Sequence, residues 1–443
     1  MSGSSDTTRI PTSGSPWFRG LSVIVLTGLL SVGVPAVAQA APTPPTTPTP
    51  TPSATAGTGA TQAPVPVDGA KPADGQPDEV APVPGTGGSA EPAPAGGPER
   101  DVTDVDEGAE SDAERAGRVS GTDRFETAVQ LSKSSFPGTA PVVVIATGES
   151  FADALSAGPA AVKVGGPLLL TYRDDLPATV TAEIKRVNPT QIIVVGGTAA
   201  VSMRVEQQLR SLAPYLDRYS GSDRYATSMT VARCAWSSRF NPSVVMTETS
   251  EKGFRLCDRI FFGADTAYLA VGSNFPDALA AGAAAGRIAA PVLVGPTSNR
   301  GSGGWSTNFD TALLSPDRIS DLRIVGGYNA LDSEWEQIAS RKKINAVRLS
   351  GSTRYDTAVA VNSYSFRQAP EVYLATGSNF PDALAGAAAA GKRGAPLYLS
   401  QGDCVPESVL TDLDRLGLKT PSKVTLIGGL NALDANVEQL GRC

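Results

Sequence analysis

The chain has 443 residues, with 37 Lys and Arg against 44 Asp and Glu, four cysteines and no histidine, and a formal net charge of −7. Without histidine, a Ser-His-Asp triad and an imidazole-bound zinc amidase site are excluded. The acidity is also local: residues 41–116 hold 13 acids against 3 bases, whereas residues 117–443 hold 30 against 32. A near-neutral repeat region with no basic, aromatic-interleaved run excludes nucleic acid as an expected partner, and leaves any anionic ligand to local arginines.

In chain order, Arg9 and Arg19 precede an apolar stretch from Leu21 to Val34, and Ala38-Gln39-Ala40 supplies a small-x-small cleavage pattern. Residues 1–40 are therefore expected to be a secretory signal. The run is short for a span of about 20 residues, so no transmembrane anchor is expected after cleavage. Residues 41–116 are rich in Pro, Thr, Ala and Gly and then turn acidic from Glu99 to Arg115. Such a segment cannot bury enough apolar surface to offset its ordering entropy and is expected to be a flexible tether. The acidic run lacks the loop glycine and final glutamate of an EF-hand, so it is taken as solvated charge.

From residue 117 onward three phrases recur in fixed order. The first reads SGTDRFETA from Ser120, SGSDRYATS from Ser220 and SGSTRYDTA from Ser350. The second reads TGESFADAL from Thr147, VGSNFPDAL from Val271 and TGSNFPDAL from Thr376. The third is an apolar run ending in a glycine pair at Gly197, Gly327 and Gly429. Three ordered copies define one module written three times, over 117–217, 218–347 and 348–443.

The elements of the first copy set the pattern. An amphipathic helix is predicted from Arg124 to about Phe136, then a buried strand over Val142 to Ala146, and a small-residue helix from Asp153 to Val164. A strand at Pro167 to Thr171, a further helix, a strand at Gln191 to Val195, the glycine pair and a helix opened by Ser202 complete the unit. Continuous apolar strands alternating with helices indicate an α/β fold of three tandem repeats, each a parallel sheet covered on both faces. The second phrase and the glycine pair each follow a strand and open a helix, where open α/β sheets place their ligand crevice.

The recurring residues in those loops are the site candidates. Asp153, Asp277 and Asp382 either bind a hydroxyl-rich ligand, act as a general acid or base, or cap a helix, and the cap is the simpler reading. Arg124, Arg224 and Arg354 sit at a helix start, where the dipole offers them nothing, so each needs a carboxylate or a ligand as partner. Asn274 and Asn379 are candidates beside them, although the first copy has Ser150 there. Arg118, Arg218 and Arg348 recur before the first phrase, where a strand-edge ion pair explains them as well as a ligand does. The rings of Phe125, Tyr225 and Tyr355, and of Phe151, Phe275 and Phe380, are assigned to the core. The glycine pairs lack the lysine and hydroxyl residue of a phosphate loop and are assigned to tight turns. No catalytic residue, metal or cofactor is expected.

Cys234, Cys257, Cys404 and Cys443 are even in number and include no CxxC pair, which favours two disulfides in an exported chain. Three pairings are open. Adjacent pairing is the simplest, with Cys234 and Cys257 closing an insertion peculiar to the second copy and Cys404 and Cys443 pinning the C-terminus.

The triplicated phrases resemble the cell wall-binding repeat of the second type, found in threes on surface proteins of Gram-positive bacteria. The resemblance covers essentially all of 117–443. It implies three α/β repeats around a pseudo-threefold axis, secreted to the cell wall or surface and holding non-covalently to anionic wall polymers or peptidoglycan-associated glycans near the grooves between repeats. The contacts it implies are Arg124, Arg224 and Arg354 with Asp153, Asp277 and Asp382. Copy one departs at Ser150-Phe151-Ala152-Asp153, copy two at Val271 and its insertion, and copy three at Thr353 in place of an aspartate. Without a separate catalytic domain in view, a non-enzymatic anchor is the first expectation and a cell-wall hydrolase, glycan hydrolase or amidase, the second.

Overall fold

The computed structural model describes residues 116–245, 257, 264–298 and 319–443. The expected leader and acidic run, the tether up to residue 115, and most of the cysteine-bounded insertion lie outside them.

Three four-stranded sheets account for the strands among the described residues, and every pairing in them is parallel. The first has the order β3 (Leu168–Thr171), β2 (Val142–Thr147), β4 (Gln191–Val195), β5 (Tyr215–Tyr219). The second runs β7 (Val292–Gly295), β6 (Thr266–Val271), β8 (Asp321–Val325), β9 (Asn345–Leu349). The third runs β11 (Leu397–Ser400), β10 (Val372–Thr376), β12 (Val424–Ile427), β1 (Gly117–Val119). Strands β2, β4 and β10 are buried along their whole length, as unbroken Val, Ile and Ala runs require in a sheet covered on both faces.

The fourth strand of each sheet belongs in sequence to the following copy. β5, which carries Arg218, lies on β4 with Val194 opposite Arg218; β9 lies on β8 with Ile324 opposite Arg348. β1 closes the cycle by lying on β12, with Arg118 opposite Leu426. Each repeat therefore completes the sheet of the one before it, and the first completes the last.

Helices repeat the same cyclic exchange. The helix after the first phrase is α1 (Arg124–Ser135), α5 (Arg224–Ala235) or α8 (Arg354–Ser365); the helix after the second phrase is α2 (Ala157–Val164), α6 (Pro276–Arg287) or α9 (Pro381–Arg393). α5 packs on α2, α8 on α6 and α1 on α9, while α2, α6 and α9 pack on one another. Alanine and glycine make this possible: a Cβ on Gly391 would stand 3.2 Å from the Cα of Gly286 and 3.3 Å from the carbonyl of Ala283. The inner helices thus meet nearly backbone to backbone about a pseudo-threefold axis.

Local chemistry opens each helix. Asp123 and Asp223 accept from the amides of Glu126 and Ala226, both at 2.8 Å, and Thr353 accepts from Asp356 at 3.1 Å within a capping box. The threonine of copy three is thus a chemical equivalent of the aspartates, each such cap contributing about 1 kcal/mol. Pro276 and Pro381 occupy the first position of α6 and α9, where a missing amide costs nothing. Copy one has Ala152 there instead, and its helix starts as a 3-10 turn over Ala154–Ser156 before α2 begins.

Two outer helices are tied down by buried acids. In α3 (Ala178–Val187), Glu183 is buried against Arg186 and accepts from Ser132 at 2.5 Å. In α10 (Glu407–Arg415), Asp412 accepts from Tyr398 at 2.6 Å, Ser363 at 2.7 Å and Arg415 at 2.6 Å. Although burial opposes it, hydrogen bonds from Arg415, Tyr398 and Ser363 hold the Asp412 carboxyl below its usual range. Disulfides join Cys234 to Cys257 and Cys404 to Cys443, each with 5.0 Å between Cα atoms.

Candidate functional site

The carboxyl ends of the strands gather three loops at each boundary between repeats: the second phrase and the glycine pair of one repeat, and the first phrase of the next. The glycine pair turns the chain sharply. Its first member has φ of 110°, 115° or 107° at Gly196, Gly326 and Gly428, a left-handed conformation that only glycine adopts freely. A Cβ there would also meet the side chain of Asp153, Asp277 or Asp382.

Arg118, Arg218 and Arg348 fasten the exchanged strand to that turn. Their Nη1 atoms donate to the carbonyls of Gly428, Gly196 and Gly326 at 2.6, 2.7 and 2.8 Å. Their remaining guanidinium nitrogens pair with Glu438, Glu206 and Glu336 at 2.7, 2.6 and 2.6 Å. Of the two readings open from the sequence, the strand-edge ion pair describes all three.

The three aspartates do not cap their helices. Asp277 and Asp382 are second residues of α6 and α9, whose N-cap positions, Phe275 and Phe380, have helical backbone and no side-chain cap bond; Asp153 likewise makes none. A cap needs extended backbone and a side chain folded back on the helix, whereas these carboxylates lie across the turn against the glycine pair. Burial raises the Asp277 carboxyl to about 6, opposed by the charge of Arg354 from the next repeat. Burial also raises Asp382, opposed by Arg124 and Thr127 of the first repeat, and its Oδ1 has no hydrogen-bond partner.

Arg124, Arg224 and Arg354 each span a boundary. Within their own repeat, Nη1 donates to the carbonyl of Gly148, Gly272 or Gly377 at 2.7, 2.6 and 2.6 Å. Toward the preceding repeat, Arg224 lies over the Phe151 ring at 5.8 Å and Arg354 over Phe275 at 6.0 Å. Phe151, Phe275 and Phe380 meet on the axis with centroids 5.5, 5.7 and 5.9 Å apart. They are partly buried and pack against the core, as the sequence reading placed them.

Two of the boundaries enclose well-formed grooves. The one between repeats two and three has a volume of about 500 Å³ and is lined by Asn274, Asp277, Tyr328, Thr353 and Arg354 among others. The one between repeats three and one has about 560 Å³ and includes Asn379, Asp382, Leu430, Asn431 and Arg124. Asn274 and Asn379 use Oδ1 to accept from the amides of Phe275 and Phe380 at 2.9 Å, which holds the loop and leaves their NH₂ groups as donors. Cys234, Cys257 and Cys443 are not among the residues lining either groove.

The residues after each glycine pair were not singled out from sequence. Tyr328 and Leu430 are 63% and 61% exposed on the groove rims, and Asn329 and Asn431 stand beside them. Copy one has Thr198 and Ala199 at these places. Their position in the motif was visible, but a search for what the copies share passes over what differs. Both grooves are polar clefts suited to holding a hydroxyl-bearing ligand: one sets Asp277 against Arg354, and the other sets Asp123 and Asp382 beside Arg118 and Arg124.

Residues 118–206, 218–336 and 348–438 match the family Cell wall binding domain 2 (CWB2). The chain is 31% identical over 321 residues to N-acetylmuramoyl-L-alanine amidase LytC of Bacillus subtilis (strain 168), a span covering 72% of this chain and 56% of that protein. It is 27% identical over 325 residues to the amidase enhancer of the same organism, covering 72% and 39%. Among solved structures, Cwp6 from Clostridium difficile superposes with a TM-score of 0.61 at 24% identity, covering 75% of this chain and 48% of that one, a likeness of fold. Cwp8 from Clostridium difficile gives 0.60 at 26% identity, covering 74% and 51%. The chain therefore spans between 39% and 56% of the length of these proteins. With a family match in each of its three repeats and across most of its folded length, the chain belongs to the cell wall binding domain 2 family.

Proposed function

We propose that the chain is a non-enzymatic, secreted protein of the cell wall or surface, held non-covalently on anionic wall polymers or peptidoglycan-associated glycans by the boundaries between its repeats. The observation that carries this reading is the repetition of one arrangement, in which Arg224 and Arg354 lie over a phenylalanine of the preceding repeat and Arg124 lies beside Asp382 of the last. Arg354 and Arg124 there face Asp277 and Asp382, residues of the repeat before. Multiple weak sites on one rigid body suit a repeating polymer, because after the first contact the later ones are intramolecular.

The likeness to an amidase favours a hydrolase as the second reading. A retaining or inverting glycosidase needs two carboxyl groups at a defined separation, and the repeated motif brings one acid against an arginine. An imidazole-dependent amidase has no histidine to use in this sequence.

Co-sedimentation of the purified chain with isolated cell walls, before and after acid extraction of anionic polymers, tests the proposal, with the supernatant assayed for sugar and peptide. Binding without product is expected. Loss of binding on extraction would assign the anionic polymer, survival would assign the peptidoglycan-associated glycan, and steady product release would overturn the non-enzymatic reading.

A further inference from the structure

Tyr328 is the most exposed of the large hydrophobic side chains among the described residues, at 63%, yet it is not loosely held. The guanidinium of Arg348 lies 4.2 Å from its ring centroid. That guanidinium is itself fixed, with Nε and Nη2 donating to Glu336 at 2.6 and 2.8 Å and Nη1 donating to the Gly326 carbonyl at 2.8 Å. One face of the ring therefore rests on a locked cation, and the side chain stands on the rim of the groove of about 500 Å³. An aromatic surface oriented in advance gives up little conformational freedom when something stacks on it.

The groove's charges decide what that something is. Asp277 faces Arg354, and Arg348 is paired with Glu336, so each charged group has an opposite partner and the groove has no surplus of positive charge. An anion would have to compete with these carboxylates for the guanidinium groups. A neutral polyhydroxyl ring would instead lay its apolar C–H face on the aromatic ring and reach the Asn274 amide, Thr353 and Asp277 with its hydroxyls.

We propose that the groove between repeats two and three holds a neutral pyranose ring of the wall glycan, stacked on Tyr328 against the support of Arg348. The proposal rests on the reading of the boundaries as wall-binding grooves. The corresponding positions, Thr198 and Leu430, offer no aromatic ring, although Arg218 and Arg118 make the same anchorage to their turns. The three boundaries are thus unequal, and this one recognises a sugar rather than charge.

Retention of the full chain on isolated walls, measured for Tyr328→Ala, Tyr328→Phe and the triple Arg124→Ala, Arg224→Ala, Arg354→Ala variant, tests it. Tyr328→Ala is expected to weaken binding about tenfold, the size of a lost aromatic contact, while Tyr328→Phe stays within about twofold. The loss caused by Tyr328→Ala is expected to be the same, within about twofold, at about 50 and about 500 mM NaCl, since a stacking contact neutralises no charge. Wild-type retention by Tyr328→Ala, with loss in the triple variant, would overturn the platform while leaving the groove reading intact. Retention by both variants would overturn the groove reading as well. A Tyr328→Ala loss that disappears at high salt would overturn the neutral ligand in this groove and assign an anionic one.

Discussion

The boundary between repeats one and two and the boundary between repeats two and three share their frame and differ in what faces the groove. In both, an arginine anchors the exchanged strand to the glycine turn, Arg218 to Gly196 and Arg348 to Gly326. In both, an arginine of the later repeat lies over a phenylalanine of the earlier one, Arg224 over Phe151 and Arg354 over Phe275. Facing the groove, however, Ser150, Thr198 and Ala199 stand where the second boundary has Asn274, Tyr328 and Asn329. Residues that hold the ring together are repeated, because closure by a threefold cycle needs each joint to work. The loops beside that frame differ from copy to copy, so copies that look alike in sequence present different side chains at their boundaries.

The largest effect should come from disturbing what both boundaries depend on. Gly391→Leu places a side chain between α9 and α6, where the nearest backbone atoms already stand at 3.2 and 3.3 Å from the added Cβ. It should destabilise the fold by about 3 kcal/mol or more and abolish binding at every boundary together, read by chemical denaturation. Loss of one boundary with the others intact would mean the inner helices do not act as one core. At the next level, changing Arg124, Arg224 and Arg354 together to Ala should lower wall retention by about 10² or more, whereas Arg224→Ala alone should cost only a few-fold. Equal losses from the single and triple variants would remove avidity from the account.

A pH series sharpens the comparison at one residue. Because burial raises Asp277 to about 6, the native state holds that proton more tightly than the unfolded chain does. The contribution is fully present at low pH and is lost as pH rises from about 4 through 6. The stability of wild type relative to Asp277→Asn should therefore fall across that window, by about 3 kcal/mol. A flat difference would show that the carboxyl is not desolvated. The smallest effect is a gain: Thr198→Tyr with Ala199→Asn should give the first boundary the rim of the second and raise wall binding about threefold, since an exposed aromatic contact contributes a fraction of a kcal/mol to about 1.

Much of this organisation was legible in the sequence. Val142 to Val195 announced three buried parallel strands by their unbroken apolar character, and the second phrase announced its loop by following one strand and opening a helix. The exchange of β1, β5 and β9 was not legible: Gly117–Val119 is too short to carry a pattern, and which sheet a strand joins is fixed by partners hundreds of residues away, Thr425 to Ile427 for this one. Asp277 and Asp382 looked like helix caps because acids at helix starts usually are. Only the fold shows that proline at the first helical position pushes them one residue inside, where they turn toward the neighbouring repeat. Tyr328 carried no repeated signal, and its support by Arg348 depends on the exchanged strand.

The claim at the centre of this account is that the wall ligand sits at the boundaries between repeats. Hydroxyl-radical footprinting of the chain free and bound to isolated walls tests it at single side chains that are exposed to comparable extents. Binding should protect Tyr328 and Leu430 on the groove rims while leaving unchanged Tyr364, 48% exposed at the far end of α8, and Ile288, just beyond α6. Protection of Tyr364 and Ile288 with Tyr328 and Leu430 still reactive would contradict the account and move the binding surface to the opposite ends of the strands.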